Sequence, residues 1–201
     1  MSMLGISFLN EIVRKKEIIN PAQILEELRQ TVIDALGQAT EKESQKDGMD
    51  MSLISIDTKT GKCLFAGASN PFWIVRNESL GKSFKEPIQM VEVIKGDNMP
   101  VGINTKMYDF SQHEIQLSEG DRIYLLSDGL IDQFGGMGGR KFMSKQLKEI
   151  IVQTATSSLD EQKASIEYAL DLWMNTPDAK VYDQVDDITV MGITYSKKLM
   201  K

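Results

Sequence analysis

The chain has 201 residues, enough for one domain with a substantial core, and its formal charge of −6 argues against non-specific binding to nucleic acid or to an anionic membrane surface. One cysteine, Cys63, excludes a disulfide framework and a cysteine-rich zinc site; set in Cys63-Leu64-Phe65-Ala66, it reads as a small buried hydrophobe. No apolar run approaches the roughly 20 residues that cross a bilayer, and the first residues lack the basic-then-apolar pattern of a secretory signal, so a cytoplasmic location is expected.

Residues 2–17 read as a helix, with Leu4, Phe8 and Ile12 recurring every fourth position. Asn20-Pro21 is a helix start, Asn as cap and Pro in the first turn. That helix is expected to run to about residue 42 with Ile24, Leu28, Val32 and Ala35/Leu36 on its apolar face. Lys46-Asp47-Gly48 breaks the pattern. A strand over 51–56, a turn at Asp57-Thr58-Lys59-Thr60-Gly61 and a return strand over 63–68 form a predicted hairpin. Phe72 to Val75, Gln89 to Ile94, Phe110 to Leu117 and Arg122 to Leu126 read as further strands, the last two joined by the turn Ser118-Glu119-Gly120-Asp121.

After Asp128 the pattern turns helical. Gly135, Gly136, Gly138 and Gly139 suggest a mobile loop. A helix is expected over 144–154. Another opens at Ser158-Leu159-Asp160-Glu161, which has capping-box spacing, and presents Leu159, Ile166, Leu170 and Trp173 on one face. A polar loop over 175–185 leads into a closing strand over 188–195. Helices at the two ends and hairpin-linked strands between them indicate an α+β layout. Trp73 and Trp173 read as core or interface aromatics, and His113, the only histidine, as a solvated surface residue.

The chemistry concentrates where two apolar strands run into acidic residues. Ile123-Tyr124-Leu125-Leu126 leads into Ser127-Asp128-Gly129-Leu130, and Val185-Asp186-Asp187 leads into Ile188-Thr189-Val190. Carboxylates at strand ends are donors for hard divalent cations, and two such seats side by side would make a paired-metal hydrolytic site. Taken singly, Asp128 reads first as a cap for the helix that follows, and Asp186-Asp187 as a solvated turn. Gly129 permits a close backbone approach.

Together, Leu125-Leu126-Ser127-Asp128-Gly129-Leu130-Ile131-Asp132 and Val185-Asp186-Asp187-Ile188-Thr189-Val190 resemble the PP2C-type, metal-dependent serine/threonine protein phosphatases. The resemblance is strongest to the bacterial branch of sporulation and sigma-factor regulatory phosphatases. Asp47-Gly48-Met49-Asp50, Ala66-Gly67-Ala68-Ser69-Asn70-Pro71 and Gly96-Asp97-Asn98-Met99-Pro100-Val101-Gly102 match that branch too.

The resemblance implies a single PP2C-like domain, an αββα sandwich of two antiparallel sheets flanked by helix pairs. It implies Mn²⁺ or Mg²⁺ as cofactor, with Asp128 and Asp186 as metal ligands and Asp187 as an auxiliary one. Water is the expected nucleophile, so no side chain is assigned covalent catalysis. Gly129, Asn70 and Arg140 are candidates for the substrate side, Arg140 from a loop flanking the site; a turn role before Pro71 competes for Asn70. The implied partner is a phosphorylated protein such as an anti-sigma-factor antagonist, with no nucleic acid and no membrane segment.

The family's earlier Gly-Asp strand and its D-x-x-G-H-G-x-x-G segment find no match. The expectation is therefore the C-terminal portion of a phosphatase domain, with an incomplete two-metal site, weak or no activity alone, and a free sheet edge that would favour a homodimer. A non-catalytic interaction module is the alternative.

Overall fold

A computed structural model describes residues 2–37, 48–82, 85–177 and 180–197. In chain order the elements are α1 (Ser2–Asn10), α2 (Pro21–Ala35), β1 (Met51–Ile56), β2 (Lys62–Ala68), β3 (Phe72–Val75), β4 (Val91–Ile94), β5 (His113–Gln116), β6 (Arg122–Leu126), α3 (Gly129–Asp132), β7 (Phe134–Gly135), β8 (Arg140–Lys141), α4 (Met143–Gln153), α5 (Leu159–Met174) and β9 (Val190–Thr194). They fall into two compact units, one from Met1–Phe72, Ile94–Leu117 and Lys197–Lys201, the other from Trp73–Val93 and Ser118–Ser196.

In the first unit, α1 widens into a π-helical turn at Glu11–Lys15 before the chain reaches Asn20. The Asn20 side chain accepts from the Gln23 N–H at 3.0 Å, and Pro21 fills the first turn, where its missing N–H costs nothing. The expected helix to residue 42 stops at Ala35 instead. Gly37 takes a left-handed φ of 62° and donates to the Asp34 carbonyl, the backbone state that ends a helix. Residues 38–42 lie outside the described residues. The apolar face turns accordingly: Ile24, Leu25, Leu28, Val32 and Ile33 are buried, whereas Ala35 and Leu36 are exposed. Truncating Leu25 or Leu28 to Ala would cost about 2–5 kcal/mol.

That face covers part of an antiparallel sheet ordered β1-β2-β5. The β1–β2 hairpin pairs Met51 with Ala68 through Ile56 with Cys63. Its turn forms as expected: the Asp57 carboxylate accepts from the Lys59 and Thr60 N–H groups, and Gly61 supplies a φ of 78°. Cys63 is fully buried. His113 is not the solvated residue expected; its ring stacks on Phe65 at 5.8 Å between centroids and is half-buried.

In the second unit the sheet order is β4-β3-β6-β9, with Arg122 opposite Thr194 and Leu126 opposite Val190. Its apolar cluster joins Trp73, Tyr124, Leu126, Phe142, Leu147 and Ile151, to which α4 and α5 contribute. The capping box that opens α5 is complete, with Ser158 and Glu161 bonding each other's backbone N–H. The glycine-rich segment is not a loose loop. Gly135 and Gly136 lie against Trp173, the Gly136 N–H donates to the Trp173 carbonyl at 2.8 Å, and β7 and β8 form a short antiparallel pair. Glycine is needed there for closeness to an indole and its backbone, a requirement that local composition does not reveal.

Candidate functional site

Both acidic strand ends belong to the second unit and lie side by side. The β6–β9 ladder continues past its last pair through one serine side chain. The Ser127 N–H donates to the Thr189 carbonyl at 3.0 Å, the Thr189 N–H donates to Ser127 Oγ at 3.0 Å, and that hydroxyl donates to the Asp187 carbonyl at 2.9 Å. On the other side of Asp128, a Cβ placed at Gly129 would run into the Asp187 carbonyl. Both chain neighbours of Asp128 are thus packed on the Asp187–Thr189 segment, and Asp186 enters at the same sheet end.

Asp128 stands at the N-cap position of α3, but its side chain makes no capping bond. The capping role that its position suggested is therefore not performed by the carboxylate. Asp128, Asp186 and Asp187 are all exposed, and an Asp186 carboxylate oxygen accepts from the Asp187 N–H at 2.7 Å. The donors are all hard oxygens, which suits Mg²⁺ or Mn²⁺ and not a thiolate-seeking ion. Among the described residues, however, no group of three or more His, Cys, Asp or Glu is arranged to hold a metal ion.

Arg140 is exposed on β8, and its neighbour Lys141 pairs with Asp132, the last residue of α3, at 2.8 Å. Asn70 lies in the first unit. Its N–H donates to the Ala68 carbonyl at 2.7 Å and its own carbonyl accepts from the Ser52 hydroxyl at 3.2 Å, so its main chain shapes the β2–β3 turn. The remaining motif segments gather around that turn. Asp97 exchanges backbone bonds with Gly67 and Ser69, Met49 bridges Val101, and Gly48 packs against Pro100. The Asp97 carboxylate accepts from the Ser111 N–H and hydroxyl, which makes it a loop brace.

Two residues that hold the acidic segments in place are not among the site residues expected from the sequence. Ser127 is one. The other is Gln133, whose fully buried carboxamide donates to the Asp183 carbonyl at 2.8 Å and accepts from the Val185 N–H at 3.3 Å. Those partners lie 50 and 52 residues further along the chain. Only the placement of a polar residue directly after an apolar helical turn hints at it.

Solved structures with this architecture include the SiaA-PP2C domain of Pseudomonas aeruginosa, with 24% identity and a TM-score of 0.77 over 96% of this chain and 68% of that one. The PP2C phosphatase domain of SpoIIE from Bacillus subtilis, solved with a fragment of its regulatory domain, matches with 19% identity and a TM-score of 0.62 over 94% and 47%. The RsbU and RsbW domains of Rv1364c from Mycobacterium tuberculosis match with 17% identity and a TM-score of 0.63 over 92% and 44%. The chain thus has the PP2C phosphatase-domain fold, in line with the α+β, antiparallel expectation. Residues 1–196 match the family model for stage II sporulation protein E (SpoIIE), and the chain belongs to that family. No curated protein matches it. No helix among the described residues is long and apolar enough to cross a membrane.

Proposed function

We propose that this phosphatase domain hydrolyses phosphoserine or phosphothreonine on a bacterial signalling protein, such as an anti-sigma-factor antagonist, in a reaction that depends on Mn²⁺ or Mg²⁺. The observation that supports this most is the joining of the Asp128 and Asp186-Asp187 strand ends through Ser127 and Gly129. Asp128 and Asp186 would hold the cation, with Asp187 as an auxiliary ligand. When bound, the cation supplies a water of lowered pKa and neutralises charge on the phosphoryl oxygens. Exposed Arg140 would meet the phosphate or an acidic stretch of the substrate with its forked donors.

A divalent cation takes about six oxygen ligands. Among the described residues no three His, Cys, Asp or Glu side chains are arranged to hold a metal ion, which leaves most of that shell to water, so weak affinity and low turnover are the expected outcome. The test is phosphate release from a phosphoserine peptide and from p-nitrophenyl phosphate in millimolar Mn²⁺. Slow, Mn²⁺-dependent release that Asp128→Asn removes is expected. Release that ignores the metal, or survives the substitution, would overturn the assignment.

The lack of a three-ligand group among the described residues favours a second reading, a phosphatase-like module that binds a partner without catalysis. Calorimetric titration separates the two. Heat of Mn²⁺ binding that vanishes in Asp128→Asn belongs to the enzyme, and its absence from the unsubstituted chain at millimolar Mn²⁺ belongs to the module.

A further inference from the structure

We infer that Gln133 is a positioning residue for the metal-binding carboxylates. It acts through the segment that leads into Asp186, and the inference rests on the metal-dependent reading above.

Gln133 is the first residue after α3 and is fully buried. Each polar group of its side chain is bonded. One amide hydrogen goes to the Asp183 carbonyl at 2.8 Å and another to the Phe134 carbonyl at 3.1 Å, while the amide oxygen accepts from the Val185 N–H at 3.3 Å. Bonding the carbonyl of one residue and the N–H of the residue two further on is how a parallel neighbour strand holds a chain. Here a side chain does it, centred on Gln184. Residues 183–185 belong to no strand, and among the described residues this amide supplies a ladder contact in its place.

The Gln133 main chain is equally engaged. Its carbonyl accepts from the Phe142 N–H at 2.9 Å and from the Trp173 indole N–H at 3.3 Å. One residue therefore ties α3, the β7–β8 hairpin, the end of α5 and the approach to Asp186. Asp128 stands at the other end of α3. The turn between them is closed by bonds from the Asp132 N–H to the Asp128 carbonyl and from the Gln133 N–H to the Leu130 carbonyl. A shift at Gln133 is thus felt at both acidic strand ends.

The test compares Gln133→Met, which keeps the bulk and loses all three side-chain bonds, with Gln133→Glu, which keeps an acceptor for Val185 and loses the donor to Asp183. Mn²⁺ binding is followed by water-proton relaxation, amide exchange at Val185 and Asp187 by hydrogen–deuterium exchange, and folding by thermal melts. Gln162→Met is the control, since Gln162 is also a buried amide but bonds Tyr124 and Thr154.

Both Gln133 variants are expected to bind Mn²⁺ about ten-fold more weakly, the usual scale for a group that orients metal ligands. Exchange at Val185 should quicken in Gln133→Met and exchange at Asp187 in both variants, while Gln162→Met lowers the melting temperature and leaves Mn²⁺ affinity alone. Affinity within two-fold of the unsubstituted chain in a folded Gln133 variant overturns the inference, as does an equal loss in Gln162→Met. If Gln133→Met does not fold, Gln133→Glu decides alone. An unsubstituted chain that binds no Mn²⁺ sinks the metal-dependent reading and this inference with it. Binding by that chain and by the Gln133 variants alike sinks only the inference.

Discussion

Ser127 and Thr189 are joined by two hydrogen bonds, one from the Ser127 N–H to the Thr189 carbonyl and one from the Thr189 N–H to Ser127 Oγ, each 3.0 Å long. The second replaces a backbone acceptor with a side chain, and the same hydroxyl reaches on to the Asp187 carbonyl. The sheet thereby hands over from regular pairing to a site without leaving polar backbone groups unmatched.

Ser127→Ala removes both side-chain bonds. Ser127 is half-buried, so water restores part of the loss. At a net worth of about 0.5–1.5 kcal/mol per bond, the variant should lose about 1–2 kcal/mol. Urea denaturation should show a lower midpoint at unchanged m-value, and Ser127→Thr should recover most of it. An alanine variant as stable as the parent would mean that the hydroxyl contributes nothing to the joint.

Gly129→Ala tests the other flank. Gly129 does not take a positive φ, so alanine can adopt its backbone and the cost is steric, against the Asp187 carbonyl. A loss of about 1–3 kcal/mol is expected from this overpacking. The stabilisation by Mn²⁺ should shrink as well, because the main chain of an acidic segment must move. Thermal melts with and without Mn²⁺ measure both, and a parent-like pair of melting temperatures would show that the gap accommodates a methyl group.

What could be read from the sequence was mostly what is local. Asn20-Pro21, Asp57 to Gly61 and Ser158 to Glu161 each carry their partners within a few residues, and each formed as expected. Asp128 and Asp186 stood out because each closes an apolar run. The rest depends on distant partners. Ser127 meets residues about 60 positions away, and Gln133 residues about 50 away. The glycines at 135 and 136 looked like slack until Trp173 supplied the surface that they fit. His113 looked solvated because its stacking partner, Phe65, lies on another strand.

Asp121 is a control for the opposite end of β6. It is buried, and its carboxylate accepts from Arg76 at 3.0 Å, from the Asn77 N–H at 2.9 Å and from the Ser118 N–H at 3.0 Å. Asp121→Asn keeps the shape but turns an amide toward donors and removes the buried charge that pairs with Arg76, leaving the more exposed Glu92 to balance it. A cost of about 3 kcal/mol is expected. Asp121 and Asp128 are separated by roughly 20 Å of extended chain, so the increment in melting temperature from Mn²⁺ should not change. A changed increment would mean that the two ends of the strand are coupled.

Acid should act on α5 through Glu161. Its carboxylate accepts from the Ser158 N–H and hydroxyl, and those bonds, the backbone one foremost, hold its pKa below the ordinary glutamate value while slight burial opposes them. A carboxyl depressed by folding adds stability that is fully present above its unfolded pKa and is lost as the pH falls through the folded one. The capping box therefore weakens only on the acid side of the ordinary glutamate range and is indifferent to pH near neutrality. Glu161→Gln removes the titrating group, so its stability should fall less steeply with acid than that of the parent. The slope will not vanish, because Asp57 is depressed in the same direction by the Lys59 and Thr60 bonds of its turn. Urea unfolding midpoints from neutral pH into the acid limb measure the difference, and identical slopes would show that the Ser158–Glu161 bonds do not hold in solution.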